Sequence, residues 1–432
     1  MTNQPEPDVT GVVEHLFRQE AGKMVATLTG IFGLHNLALA EDVVQEALLK
    51  ALRQWSFGAI PENPAAWLMQ VAKNQALDVL RRHARLSKKK EEIAATMQQH
   101  PAFGAPASAA AADEIKDDQL RMIFACCHPA LAQESQVALT LKTLCGLSVG
   151  EIARAFLVGE ETIAKRLTRA RQRLKQSGAP FEIPETNEVS ARLATVQEVL
   201  YLVFNEGYNA SHGPDLIRRD LSEEAIRLAR LLAQHSITKT PATCALLALF
   251  LLQAARFPAR TSTEGEILLL EEQDRTSWDQ QLIAEGMAYL ERAASGEKLS
   301  SFHLQAGIAA CHCASATYAA TDWAQILSLY DDLVRLNNSP VIALNRAVAL
   351  AKVKGAEAAL AAVVKVKNGG ALEGYYLFHA VLGELRLQLG DHAGAEENYR
   401  RALTMTDLPA EKSFLLKKLR TCTARAKNRG TG

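Results

Sequence analysis

Residues 63–85, NPAAWLMQVAKNQALDVLRRHAR, decide how the first part of the chain is built. At about 100° per residue along a helix, Asn74, Asp78, Arg81, Arg82 and Arg85 share one face, and Ala76, Leu77, Val79 and Leu80 occupy the other. One side is dry; the other carries amide, carboxylate and guanidinium groups. Nucleic acid suits such a face, because arginine neutralises phosphate and amide side chains read base edges. Trp67, just upstream, is either a core ring or a platform for an exposed base, a contact worth about 1–3 kcal/mol in single-strand binders.

Upstream, residues 41–55, EDVVQEALLKALRQW, form a second amphipathic helix with Val44, Leu48, Ala51 and Trp55 on its core side. Glu41, Asp42, Gln45 and Glu46 cluster at its start, where acids complement the helix dipole. Taken alone they read more readily as a solvated acidic first turn than as a docking face.

Downstream, basic residues gather at 81–90, and residues 101–113, PAFGAPASAAAAD, are too poor in complexity to build a core and read as a linker. Residues 147–175, LSVGEIARAFLVGEETIAKRLTRARQRLK, have the layout of a helix-turn-helix. Ser148 can cap the first helix, Leu157-Val158-Gly159 make the turn, and Glu160 opens the second helix. There Ile163, Leu167, Ala170 and Leu174 form a narrow core stripe, with Thr162, Lys165, Arg166, Arg169 and Arg173 opposite. An apolar anchor behind basic and hydroxyl groups suits a recognition helix in a major groove. Two weak DNA-binding modules on one tether raise each other's effective concentration.

After a joint at 181–187 that contains Pro184, the pattern is helical almost to the end. Gly355 and Gly390, 35 residues apart, punctuate two helical hairpins. In the second, Gly383, Ala395, Tyr399 and Ala402 fall where a tetratricopeptide repeat wants small, small, aromatic and small residues, with Pro409 just beyond.

Composition agrees with an all-α protein of several domains. The 432 residues are 48% hydrophobic and only 6% aromatic, with 25 Gly and 14 Pro, too few turn residues for an all-β chain. Net charge is +0, from 48 basic and 48 acidic residues, but the basic residues concentrate at 81–90 and 165–175. The seven cysteines are irregularly spaced and form no disulfide framework. No signal peptide is visible, and the longest apolar stretch, around Cys244–Leu252, reads as too short for a bilayer, so cytoplasm without membrane is expected.

Cys126-Cys127-His128 and Cys311-His312-Cys313 look like metal ligands only on paper, because adjacent helical residues point apart. Glu206 in FNEGY and Asp322 in TDW are acids of the kind that cap helices or bridge repeats. No glycine-rich nucleotide loop is present, and neither a cofactor nor catalysis is expected.

AEDVVQEALLKAL followed by NPAAWLMQVAKNQALDVLRRHAR closely resembles region 2 of extracytoplasmic-function (ECF) sigma factors, and the helix-turn-helix resembles their region 4. FACCHPAL, YLVFNEGYNAS, EEQDRTSWD, TDWAQILSLYDDL and LNRAVALA look like the group with a C-terminal tetratricopeptide-like (DUF6596-type) extension. The resemblance implies an alternative sigma factor, a transcription initiation subunit that directs core RNA polymerase to promoter DNA and has no catalytic site of its own. It implies region 2 at 8–90, a flexible linker at 91–114, region 4 at 115–178, and a helical regulatory extension at 187–425. Glu41, Asp42, Gln45 and Glu46 would face the clamp helices of the largest polymerase subunit, and region 4 would touch the flap. Trp67, Asn74, Asp78, Arg81 and Arg82 would lie near the −10 element; Glu161, Thr162, Lys165, Arg166 and Arg169 near the −35 element. Leu157 departs from the glycine that many relatives carry in the turn. The fused extension would take part in control, through a regulatory protein or a ligand. The rivals are a polymerase-independent helix-turn-helix regulator with a protein-interaction repeat domain, and a repeat scaffold with incidental basic segments.

Overall fold

The computed structural model describes residues 9–58, 60–84, 117–156, 158–177, 186–210, 216–263, 265–367 and 372–429. Among them are eighteen α-helices and no strand; Thr261 and Ile267 make one isolated bridge. The chain divides into two compact units, Met1–Val203 with Gln234–Thr238, and Phe204–Ala233 with Lys239–Gly432. The linker expected at 91–114 and the joint at 181–185 lie outside the described residues.

In the first unit, α1 (Val9–Phe32), α2 (Leu37–Trp55) and α3 (Pro64–Ala84) pack mutually. Gly33, at φ 85°, adopts a left-handed conformation that costs glycine little and lets the chain turn from α1 into α2. The core side of α2 is as its period predicts: Val44, Leu48, Ala51 and Trp55 are all buried. On α3 the buried stripe is Leu68, Ala72 and Ala76, spaced four apart, whereas Leu77, Val79 and Leu80 are only half-buried. Small alanines let α3 approach α2 closely, so the larger residues nearer its end are not needed to fill that seam.

Four shorter helices follow in the same unit: α4 (Asp118–Cys126), α5 (Gln133–Thr143), α6 (Val149–Ala155) and α7 (Glu160–Ser177). Asp117 caps α4 through the Leu120 N–H. Ser148 caps α6 in a full capping box, Glu151 reaching back to the Ser148 N–H. The α7 stripe of Ile163, Leu167, Ala170 and Leu174 is buried. The division between units falls inside α8 (Thr186–Tyr208). Arg192 of α8 donates to the Phe124 carbonyl at 3.0 Å, tying the start of α8 to α4.

The second unit contains α9 (Arg219–Gln234), α10 (Pro241–Ala254), α11 (Gln280–Ala293) and α12 (Ser301–Ala314). It continues with α13 (Trp323–Leu336), α14 (Pro340–Lys354), α15 (Ala356–Lys367), α16 (Tyr376–Gln388), α17 (His392–Leu403) and α18 (Pro409–Arg429). Helix α10 is apolar on all sides and is the core against which α11 and α12 pack. Its apolar run is longer than the sequence pattern implies. Pro at the first turn and a 3-10 turn at the far end extend it to Pro241–Ala259, long and apolar enough to cross a membrane, with 83% of that window buried within the protein.

From α12 onward, successive helices pair as hairpins and build a chain of small cores. Leu304, Ile326 and Leu350 share one, Leu344, Ala359 and Phe378 the next, and Ala380, Tyr399 and Leu415 the last. The stacking is not purely between neighbours: from α18, Lys417 lies 3.9 Å from both Glu266 and Glu272, which precede α11. Gly355 and Gly390, at φ 86° and 80°, close α14 and follow α16 where the sequence pattern places hairpin breaks.

Candidate polymerase and nucleic-acid interface

The buried side of α2 fixes where its acids point. Asp42, Gln45 and Glu46 are exposed along one edge. Glu41 is different: its carboxylate accepts from the Thr143 hydroxyl at 2.8 Å and from the Arg171 guanidinium at 3.1 Å, and its side chain is only 16% exposed. Of the four acidic-face residues expected to meet a partner, three are presented and one is engaged within the unit.

Glu41 is one point in a wider contact between the two halves of this unit. Helix α1 packs against α4, and the Thr27 hydroxyl donates to Asp118 at 3.2 Å. Gly22 of α1 lies against the end of α5 so closely that a Cβ there would sit 2.0 Å from the Leu144 carbonyl oxygen.

On α3, Asn74, Asp78 and Arg81 are exposed on one face, as the helical period predicts. Asn74 accepts from Gln70 at 3.0 Å, and Arg81 pairs with Asp78 at 3.6 Å, both contacts open to solvent and cheap to exchange for a ligand. The side chain of Arg82 lies outside the described residues, as does all of Arg85. Trp67 is half-buried and packs on Trp55, ring centroids 5.3 Å apart and tilted by 56°. Part of its ring is therefore committed to the core. The aromatic ring offered freely is Phe57, 94% exposed in the joint between α2 and α3. Helical periodicity gives no reason to notice it, because it follows the last turn of α2; the signal in the sequence is an apolar ring between Ser56 and Gly58.

On α7, Glu161, Thr162, Lys165, Arg169 and Arg173 are exposed opposite the buried stripe. Lys165 is held by Glu161 at 2.7 Å, one helical turn back. Arg166 is half-buried, its guanidinium 5.2 Å from the centre of the Phe156 ring at the helix-turn-helix joint. It leans onto the turn and is less available than its neighbours. Leu157, the unusual turn residue, lies outside the described residues.

Of the residues read as structural, Cys311 and Cys313 are half-buried rather than buried. Cys126 and Cys127 are buried, and burial pushes the Cys127 thiol up to about 12. Asp322 caps α13 through the Gln325 N–H, and Glu206 faces Arg218 at 3.8 Å.

An acidic helix and an Asn/Asp/Arg helix in one bundle, followed by a helix-turn-helix, are the arrangement that the resemblance to sigma factors implies. Known families agree. The sigma-70 region 2 family matches residues 16–86, sigma-70 region 4 matches 121–174, and a family of unknown function (DUF6596) matches 192–294. An uncharacterised protein of Rhizobium meliloti (strain 1021) is 41% identical over 381 residues, covering 88% of this chain and 89% of the relative. A probable RNA polymerase sigma factor, RfaY, of Xanthomonas campestris pv. campestris is 29% identical over 138 residues, covering 32% of this chain and 33% of its own. The chain belongs to the sigma-70 family of RNA polymerase sigma factors, in a form that carries regions 2 and 4 and a C-terminal DUF6596 extension. Members of this family are initiation factors rather than enzymes, and their partners are core RNA polymerase and promoter DNA.

Proposed function

We propose that this protein is an alternative sigma factor of the ECF type, cytoplasmic and without a catalytic site of its own, whose fused C-terminal domain modulates its activity. The observation that carries this reading is the presence in one chain of α2 and α3 with their polar edges exposed and of a capped helix-turn-helix with an exposed basic face. Asp42, Gln45 and Glu46, with Glu41 once released, dock on the clamp helices of the largest polymerase subunit. Asn74, Asp78, Arg81, Arg82 and a ring from Trp67 or Phe57 take the −10 element. Thr162, Lys165 and Arg169, with Glu161 and Arg166 flanking them, take the −35 element, and region 4 touches the flap. The linker at 91–114 lets both modules reach their elements, and polymerase sets their spacing. The extension, 187–425, is tetratricopeptide-like in its last hairpins, where Tyr399 packs on Gly383 between Ala395 and Ala402.

Reconstituted transcription tests this directly. Purified protein, bacterial core polymerase and a library of promoter-like DNA should give specific starts that share upstream elements and are absent with core alone. No polymerase association and no transcripts, with or without the extension, would leave a polymerase-independent DNA-binding regulator as the better account.

A further inference from the structure

The second unit buries several N–H groups that no described residue accepts. Arg256 follows α10, Arg275 and Trp278 flank a short 3-10 turn before α11, and His312 sits in the last turn of α12. Trp278 is 3% exposed and lies under two guanidinium groups, Arg275 at 4.9 Å and Arg256 at 5.4 Å from the ring centre. A third, Arg260, lies 3.6 Å from the centre of the Tyr208 ring.

Other arginines of this unit meet carboxylates: Arg218 with Glu206, Arg230 with Glu285, Arg346 with Asp331. These three do not. Among the described residues Arg256 donates to the amides of Gln253 and Gln273, and Arg260 to the Tyr208 carbonyl. Arg275 clamps the end of α12, donating to the carbonyls of His312 at 2.6 Å and Ser315 at 2.7 Å and to the Thr321 hydroxyl at 3.1 Å. None of these acceptors is an anion, while a guanidinium is always charged. Burial, and then the charge of Arg256, lowers the proton affinity of Arg275. Burial first, then Arg256 and Arg275, holds His312 neutral down to about 3.

Among the described residues three buried N–H donors here have no hydrogen-bond partner, Arg256 Nε, Arg275 Nε and Trp278 Nε1, and His312 Nδ1, a donor or an acceptor according to tautomer, has none either. Buried donors in folded proteins are almost always satisfied, so such a concentration beside cations that no described carboxylate neutralises points to an acceptor that the described residues do not supply. A cavity of about 310 Å³ opens alongside, walled by Arg275, Trp278, Thr276 and Gln280 with Ile283 and Ala314. That is the lower end of the range for small-molecule sites and larger than a bare inorganic ion needs.

We propose that the extension binds a small organic anion here: its phosphate or carboxylate group accepts the Nε–H of Arg275 and the indole N–H of Trp278, with Arg256 adding positive charge and the rest of the molecule filling the cavity. The site is a binding property and stands whether or not the extension modulates transcription.

Calorimetric titration of the full-length chain tests it, with phosphoglycolate and succinate as the phosphate and carboxylate probes and neutral glycolamide as the control. Inorganic phosphate alone completes the set, and tryptophan fluorescence reports on Trp278. The expected result is saturable binding of one anion per chain by at least one of the two organic probes and none by glycolamide; which anion binds identifies the group. Arg256→Gln and Trp278→Phe, the latter keeping the ring and removing only the N–H, should each weaken binding about tenfold or more. Should Arg256→Gln fail to fold, Trp278→Phe alone decides. The proposal is overturned if neither organic anion binds saturably up to about 10 mM, well beyond the range of a specific site. Equal binding by the wild type and Trp278→Phe would overturn it as well.

Discussion

Glu41 and Arg171 are ion-paired at 3.1 Å, which joins the acidic helix of region 2 to the recognition helix of region 4. The same carboxylate takes the Thr143 hydroxyl, so one residue of the expected polymerase-facing set is withheld while the two regions are packed together. Breaking the pair should favour the docking-competent arrangement. Arg171 is 33% and Glu41 16% exposed, so this largely buried pair is worth about 1 kcal/mol, the upper end of the range for exposed pairs, and Arg171→Ala should tighten binding of the full chain to core polymerase about fivefold. Polymerase affinity measured by fluorescence anisotropy checks this; an unchanged or weakened affinity would mean that the pair does not compete with docking.

Gly22 offers a test of the same contact that leaves every charge in place. A methyl group there would meet the backbone of Leu144, which cannot yield as the end of a flexible side chain can. Gly22→Ala should therefore separate α1 from the end of α5 at a cost of about 1–3 kcal/mol. Cross-linking between cysteines placed at positions 27 and 118, where Thr27 and Asp118 now meet, should fall in this variant. Retained cross-linking would show that the two halves accommodate the methyl group without parting.

Asp42 and Glu46 are exposed on α2 and make no contribution to its buried side. The double substitution Asp42→Lys and Glu46→Lys should leave folding within about 0.5 kcal/mol, apart from a small loss of helix-dipole complementarity. If this edge meets polymerase, core binding and promoter-directed transcription should both be lost. Transcription at wild-type level from such a variant would remove α2 from the docking surface.

Much of the candidate site was legible in the sequence because it rests on local periodicity. The buried stripe of α7, the Ser148 cap and the core side of α2 each lie within one or two turns of one helix. The Glu41–Arg171 pair joins residues 130 apart, and no period in either helix announces it. Trp67 reads either way in the sequence, and only the folded bundle sets Trp55 beside it. The retreat of Arg166 onto Phe156 depends on the turn between α6 and α7, whose geometry side-chain pattern does not carry. In the extension, Gly383 and Tyr399 announce their own contact, whereas Arg256, the Arg275–Trp278 turn and His312 come from three separate segments and meet only in the folded unit.

Lys165 and Arg169 project from α7 into solvent, as phosphate or base contacts require. Each cation that meets a phosphate should contribute about 0.9 to the slope of log affinity against log salt. Removing either by substitution with alanine should flatten the salt dependence of holoenzyme–promoter binding by about one unit if it neutralises a phosphate. A base contact instead leaves the slope nearly unchanged and relaxes the preference at one position of the −35 element. Lys165→Ala also releases Glu161, an exposed ion pair worth little, so any loss it causes belongs to DNA binding rather than to folding.

Gly383 and Tyr399 test the packing of the last hairpin. A Cβ at Gly383 would lie 2.9 Å from Tyr399 Cε1 and 3.0 Å from Cζ. The ring cannot swing away freely: it is 1% exposed, and its hydroxyl donates to Glu384 at 3.0 Å, which Lys418 holds from α18 at 2.7 Å. Alanine is the better helix former by about 1 kcal/mol, while overpacking costs about 1–3 kcal/mol, so Gly383→Ala should destabilise the second unit by a net amount of about 1 kcal/mol. Tyr399→Leu creates room and loses the hydroxyl bond, yet in its presence Gly383→Ala should become neutral or stabilising, because only the propensity gain remains. A double-mutant cycle followed by denaturant unfolding should return a coupling above about 0.5 kcal/mol. Additive effects would mean that the glycine serves the helix backbone alone and that the aromatic ring does not need its space.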